Sequence, residues 1–381
     1  VKIFYIRFQD FKKRFYISSE REIVRSFNRL GLESQLIAFG KKEDEPEFVK
    51  LFNSNKDIKI LIKLKIVKYI FRMKKEKIVY VFDPNSLILF LPNFLYRKIF
   101  GGKQRFVLDV RSIPVVNPTK KEMERFKSVL WISYFFFDGF SFITDETKRI
   151  CEGYIKKRFS NYTIYPSGVN TDCFFVRSKN EKISKSYGLE NKKVIFYHGS
   201  ISKKRGLEEL IESVEKLKKD YKDLILFVLG SGDREIEKNI VETKNILLPP
   251  VSYEEVPEYI SVASVCVSPL PDLIWWRGAS SLKVMEYMAM GKPLVLSEIK
   301  PHLDVLPKDI KGYVLYKPVS SENLYKALKE FFENREKYEK ESLKLSQYVK
   351  NNFSYDIIAK RVYQFYRIKL FGENDEFCYR E

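Results

Sequence analysis

Histidine and cysteine are scarce here, two and four in 381 residues, and that scarcity argues against metal and redox chemistry before any fold is considered. The cysteines, Cys151, Cys173, Cys266 and Cys378, stand far apart with no spacing of a zinc or dithiol pair, so reduced structural thiols are expected. No Asp-x-Asp occurs, and with only His198 and His302 available, neither a metal nor another cofactor is expected. Long apolar runs are missing too. Leu87–Leu91 is cut by Pro92 and Asn93, and Val129–Thr144 by Asp138 and Gly139, well short of the roughly 20 residues that span a bilayer. The start, Val1–Phe8, alternates like a strand and lacks the charged, apolar and small-residue regions of a secretory signal. The expectation is a cytoplasmic globular protein without internal repeats.

What is present is a globular balance of 45% hydrophobic and 31% charged residues, in a chain long enough for two domains. Charge is unevenly spread: residues 1–180 hold 36 Lys+Arg against 19 Asp+Glu, and residues 181–381 hold 33 against 31. A basic first half suits an anionic partner such as a membrane surface, a lipid phosphate or a nucleic acid; a lysine-rich background composition is the plainer account.

In the first half, short β runs alternate with helical segments: Val1–Phe8, Gln35–Phe39, Ile78–Phe82, Arg105–Val110, Gly139–Ile143 and Tyr162–Tyr165 as strands, with a helix over Ser18–Leu30 begun by a serine cap. Strands separated by helices imply a parallel sheet. After the polar stretch Arg177–Asn191 the alternation restarts, with strands at Val194–Tyr197, Leu224–Leu229, Val265–Ser268 and Leu294–Ser297. Helices are expected over Gly206–Tyr221, near Tyr253–Ala263 and over Ser281–Met290. Leu207, Leu210, Ile211, Val214, Leu217 and Tyr221 share one helical face. The end, Ser321–Leu370, reads as helix broken near Asn351–Ser354. The segment Lys56–Lys77 carries two apolar strips with cations between them; it suits a membrane interface, or a helix buried between neighbours, or a strand.

The most informative stretch runs from Arg277 to Ser297, RGASSLKVMEYMAMGKPLVLS. It describes a small-residue turn opening a helix, a glycine (Gly291) closing it and a buried strand after it. Free N–H groups at such a start attract phosphate, and Glu286, a turn and a half in, can accept both hydroxyls of a ribose. Two further blocks precede it: Tyr197-His-Gly199-Ser200 with Arg205-Gly206, and Leu229-Gly230-Ser-Gly232-Asp233.

In this order and spacing the blocks resemble glycosyltransferase family 4. The resemblance implies an α/β GT-B fold: two Rossmann-like domains with parallel sheets facing across a cleft, and a C-terminal helix crossing back to the first. The expected boundaries are an acceptor domain over 1–175, a nucleotide-sugar donor domain over 176–352, and a returning helix over 353–381. It implies a retaining, metal-independent hexosyl transfer from a nucleotide sugar. The donor would be bound by Gly199, Ser200, Arg205, Gly206, Gly230, Gly232, Ser280, Ser281, Leu282, Lys283 and Glu286, with Arg205 and Glu286 catalytic. This chain departs from the family pattern at Gly278, where a first Glu is expected, and at Ser200, where an Arg is expected; Lys203, Lys204 or Lys283 would then supply the second cation. In the first half, Tyr165-Pro-Ser-Gly168-Val169 resembles the family's interdomain hinge. Asp109 and Arg111, at a strand end where the family places its acceptor-side segment, either orient acceptor or donor hexose or form a strand-end ion pair. The glycine-rich loop expected after the first strand is replaced by Phe8–Arg14.

A Ser280-x-x-Lys283 pattern of β-lactamase type lacks its companion motifs and is set aside. The basic first half favours a lipid-linked or membrane-proximal glycan acceptor, peripheral contact with an anionic membrane and a place at its inner face. No nucleic acid is expected. The competing readings are a non-catalytic partner subunit of the same fold and a nucleic-acid-binding or nucleic-acid-modifying protein.

Overall fold

The computed structural model describes residues 1–10, 18–40, 46–52, 65, 77–84, 101–114 and 118–373. The chain divides into two compact units, Val1–Ser167 with Tyr355–Glu381, and Gly168–Ser354. Sequence reasoning placed these breaks after 175 and after 352. Most of the Lys56–Lys77 segment, residues 11–17 and Cys378 lie outside the described residues.

The first unit is built on seven strands: β1 (Lys2–Asp10), β2 (Ser34–Phe39), β3 (Val49–Phe52), β4 (Ile78–Phe82), β5 (Gln104–Val110), β6 (Gly139–Phe142) and β7 (Tyr162–Ile164). They pair in parallel in the order β3-β2-β1-β4-β5-β6-β7. The principal helices described are α1 (Ser18–Arg29), α2 (Lys120–Phe136) and α3 (Asp145–Ile155). Successive side chains of a strand point to opposite faces, and β1 shows the consequence. Phe4 and Ile6 pack with Phe126, Val129 and Leu130 of α2 on one face. Ile3 and Tyr5 pack with Ile23, Val24 and Phe27 of α1 on the other. With both faces covered, a strand carries an apolar run rather than an alternation, which is why β1, β4 and β5 were readable. Ser18 and Ser19 fall inside the first turn of α1, and the Ser19 hydroxyl bonds that of Tyr355 at 3.2 Å.

The second unit repeats the plan with β8 (Lys193–His198), β9 (Leu224–Leu229), β10 (Ile246–Leu248), β11 (Val265–Ser268), β12 (Leu294–Ser297) and β13 (Tyr313–Tyr316), all parallel, in the order β10-β9-β8-β11-β12-β13. Its main helices are α4 (Leu207–Leu217), α5 (Arg234–Glu242), α6 (Leu282–Ala289), α7 (Ser321–Glu333) and α8 (Arg335–Phe353). Val194 and Phe196 face α6 and α8 through Val284, Met288, Leu345 and Val349. Ile195 and Tyr197 face α4 and α7 through Leu210, Val214, Leu324 and Phe331. Both sheets thus follow the doubly wound order, with strands added outward in both directions from the first.

Helix α6 ends where the sequence places its stop. Gly291, at φ 65°, sends its N–H to Met288 O, and Lys292 sends its own to Tyr287 O, closing the last turn through a left-handed residue. At Ser354 the helical run is interrupted by an extended residue, and α9 (Tyr355–Phe365) returns to the first unit. There Tyr355, Ile358, Ala359 and Val362 complete the core beside α1.

Candidate donor site at the second switch point

In an open parallel sheet, ligands bind beyond the carboxyl ends of the strands where the order reverses. In the second unit that point lies between β8 and β11. Three tight approaches build the loops there. A side chain at Gly206 would place its Cβ 1.9 Å from Pro269 O, one at Gly230 would stand 2.0 Å from Gly199 O, and one at Gly232 2.0 Å from Ile201 O. Three of the glycines expected to bind a donor therefore also press the loops after β8, β9 and β11 together, which only a residue without Cβ permits.

Charged and aromatic side chains meet on this edge. Glu286, buried on the second turn of α6, accepts a hydrogen bond from His198 Nε2 at 3.0 Å. The Tyr287 hydroxyl accepts the His198 backbone N–H at 3.1 Å and lies 3.0 Å from Nδ1. Burial pushes the Tyr287 phenol well above its ordinary range, so it keeps its proton and donates it to Nδ1. That bond leaves the histidine proton on Nε2, facing Glu286. Arg205, in a 3-10 turn at Lys203–Arg205, lies over Trp276 with 4.8 Å to the ring centroid, and its charge reaches the Tyr197 hydroxyl.

Of the three lysines that stand in for the missing family cation, the structure brings one to the site. Lys203 is turned to Glu208 and Glu235 at 3.4 and 3.7 Å, and Lys204 lies over Trp275. Lys283 points inward: Nζ is 4.0 Å from the Tyr197 ring centroid and would be 3.2 Å from a Cβ on Gly199. Nζ is shielded from solvent without a hydrogen-bond partner. Burial pulls this ammonium well below the usual lysine range, Arg205 adds to the effect and Glu286 opposes it. An anion brought beside Nζ would oppose that shift and favour the charged form.

The helix start is similarly unfilled. Ser281 occupies the cap position of α6 but makes no side-chain cap bond, and its buried Oγ has no partner. Ser280 and Leu282 flank it, both half-buried. Ser200 lies in the loop after β8, where its carbonyl accepts from the Tyr197 hydroxyl at 2.8 Å. Gly278 closes the short helix Ile274–Arg277 and presents no side chain where the resemblance expects a carboxylate. Below the loop, His302 is fully buried: Nδ1 donates to Ser297 O at 2.7 Å and Nε2 accepts from the Ser268 hydroxyl at 3.1 Å. Desolvation lowers its pKa to about 4, so it is neutral and structural.

Sequence reasoning assembled Arg205, Lys283 and Glu286 through motif spacing. It missed the His198–Glu286 bond, which joins residues 88 positions apart. The signal available was that His198 ends its strand at the switch point, where a polar side chain meets the loop of the neighbouring strand.

The corresponding edge of the first unit is different. Asp109 is 0% exposed; one oxygen accepts from Arg7 Nη2 at 2.6 Å and the other from the Ser141 hydroxyl at 2.7 Å. Arg7 also binds Glu20 at 3.0 Å and two carbonyls. The expectation that Asp109 orients a hexose is corrected, because both oxygens are spent inside the strand layer and none faces solvent. Arg111 is only half-buried: it donates to Tyr165 O and stacks on the Tyr165 ring, while Nη2 is buried without a partner. Elsewhere, a cavity lined by Lys179, Lys193 and Lys292 opens at the amino ends of the second sheet. There Lys179 and Lys292 donate to backbone carbonyls and Lys193 pairs with Asp223, as structural contacts do. Among the described residues no group of three or more His, Cys, Asp or Glu is arranged to hold a metal ion, and no helix is long and apolar enough to cross a membrane.

Two doubly wound sheets, with an uncapped helix start and a buried carboxylate at the second switch point, define the GT-B class of architecture. Residues 179–351, somewhat less than half of the chain, match the family model described as glycosyl transferases group 1. YtcC of Bacillus subtilis (strain 168) is 23% identical over 205 residues, 51% of this chain and 49% of that protein. The chain spans about half the length of the curated relatives it matches. Among solved structures, sucrose-phosphate synthase from Thermosynechococcus elongatus superimposes with a TM-score of 0.72 at 15% identity, over 97% of this chain and 99% of that one. Anabaena HepE in complex with UDP and glucose gives 0.74 at 12% identity, over 95% and 98%.

Proposed function

We propose that this protein is a retaining glycosyltransferase that moves a hexose from a nucleotide sugar to a lipid-linked or membrane-proximal glycan. In this reading it works at the cytoplasmic face of a membrane and needs no metal. The observation that carries the reading is the second switch point, where the unpartnered Lys283 ammonium, Arg205 and the uncapped start of α6 lie beside the buried Glu286. Such a site suits a nucleoside diphosphate ester: the cations and helix amides take the phosphates, and Glu286, oriented by His198, accepts sugar hydroxyls. As the glycosidic bond to phosphate breaks, charge builds on the leaving diphosphate, and preorganised cations stabilise it most at that moment. The bound UDP of Anabaena HepE supports the donor class at the level of the fold.

The test is a thermal-shift screen with UDP-, GDP-, ADP- and TDP-sugars, followed by transfer assays on the donor that stabilises. Glu286→Ala and Arg205→Ala are expected to lower kcat/KM by about a hundred- to a thousandfold each, in EDTA as in buffer. Full activity of the double variant would remove the site assignment.

A further inference from the structure

Helix α2 buries Phe126, Val129, Leu130 and Ser133 against the sheet, so residues on the opposite side of the helix turn outward. On that side, one turn apart, stand Trp131 and Phe135, 53% and 45% exposed, their ring centroids 4.7 Å from each other. Tyr134 meets Phe135 edge-on at 5.3 Å and Phe159 at 5.8 Å. Phe159 follows directly on Lys156, Lys157 and Arg158, which are exposed after α3 and form no salt bridge with a described residue. An aromatic pair and three consecutive free cations thus adjoin on one flank of the first unit. That unit holds 39 Lys+Arg against 23 Asp+Glu, whereas the second holds 30 against 27.

We infer that Trp131, Phe135 and the Lys156-Lys157-Arg158 cluster form a docking surface for an anionic lipid bilayer. Indole and phenyl rings with a wet rim settle at the headgroup boundary, and neighbouring cations meet lipid phosphates there. A single strand of nucleic acid fits less well, because stacking needs free ring faces and these two rings are tilted 59° against each other in mutual contact. A second copy fits less well too: it would bring the same three cations to the interface again, and the patch residues include no carboxylate to meet them. The inference deepens the membrane-proximal half of the proposed function and is independent of the donor site.

The experiment is co-sedimentation of the whole chain with equimolar phosphatidylglycerol and phosphatidylcholine vesicles, without donor. Binding is expected for the unaltered chain, and reversal of the cluster (Lys156→Glu, Lys157→Glu, Arg158→Glu) is expected to weaken it on the order of a hundredfold. Reversal of three exposed lysines in the second unit (Lys238→Glu, Lys326→Glu, Lys340→Glu) is expected to change it less than threefold. Equal losses from the two reversals would overturn the surface in favour of bulk charge. Quenching of tryptophan fluorescence by brominated lipid is expected to fall in Trp131→Phe, which preserves the apolar bulk; undiminished quenching would also overturn it. Tighter retention on single-stranded DNA than on vesicles, or a concentration-dependent mass lost in Trp131→Ser, would assign the patch to nucleic acid or to a second copy. Binding of UDP-sugar is expected to be unchanged in every variant, so failure of this inference leaves the donor site standing, and failure of the donor site leaves vesicle binding readable.

Discussion

The two sheets share one strand order, and each gathers charged side chains at the carboxyl edge of its switch point, yet the charges are used in opposite ways. In the first unit Arg7 is enclosed by Asp109 and Glu20, and Asp109 is completed by Ser141. In the second, Lys283 lies over the Tyr197 ring with no hydrogen-bond partner, Ser281 caps nothing, and Glu286 has its hydrogen bond to His198. A buried charge without partners costs stability, so an unfilled cluster persists where a ligand supplies the missing partner. The topology offers the same position twice; the first unit closes it with its own side chains and the second leaves it open.

The largest effect that separates the two belongs to Arg7. Replacing it with methionine leaves Asp109 and Glu20 buried without their counter-ion, and the expected loss is about 3–5 kcal/mol, read from urea unfolding. A loss below about 1 kcal/mol would mean that water already solvates the cluster, and the contrast between closed and open edges would fail.

A second contrast lies in pH. His302 supports the loop below the open edge as a neutral ring, and its folded pKa, about 4, stands below the ordinary histidine value. A depressed folded pKa contributes stability that is present above the unfolded value and lost as pH falls. Between about pH 6.5 and pH 4 the unfolded chain takes up a proton that the folded chain refuses. The expected cost across that window is on the order of 3 kcal/mol, and His302→Gln is expected to flatten the slope by that amount. A variant with the slope of the unaltered protein would show that the ring becomes charged in place.

How much of this was legible depended on whether a feature is local. Strands such as Ile78–Phe82 and Leu224–Leu229 are apolar throughout because both faces are covered, and their limits follow from residue type alone. The four-residue β3 offers too little pattern, and α2 mixes exposed aromatics with buried ones, so neither is recognisable by periodicity. Glu286 and Arg205 were readable through their spacing from a helix start and a glycine turn. The pairing of His198 with Glu286, and of Asp109 with Arg7, depends on contacts between distant parts of the chain. Choosing Lys283 over Lys203 depends on where an acidic neighbour, Glu208, draws one of two similar side chains.

The smallest effect is the most discriminating, because it reverses sign between the two regions. Lys283→Met removes a shielded ammonium that has no partner and substitutes an apolar chain of similar length, so the empty protein is expected to gain about 1 kcal/mol of stability where Arg7→Met loses several. The same substitution removes a cation from the proposed diphosphate site, and donor affinity is expected to fall about tenfold, as loss of one charge-assisted contact does. Unfolding without donor and calorimetric titration with donor read the two effects separately. If Lys283→Met lost stability without donor, the ammonium would have a partner in solution, and the second edge would be as closed as the first. If stability rose and donor affinity held, Lys283 would be a strained residue with no part in binding, and Arg205 with the start of α6 would carry the phosphates alone.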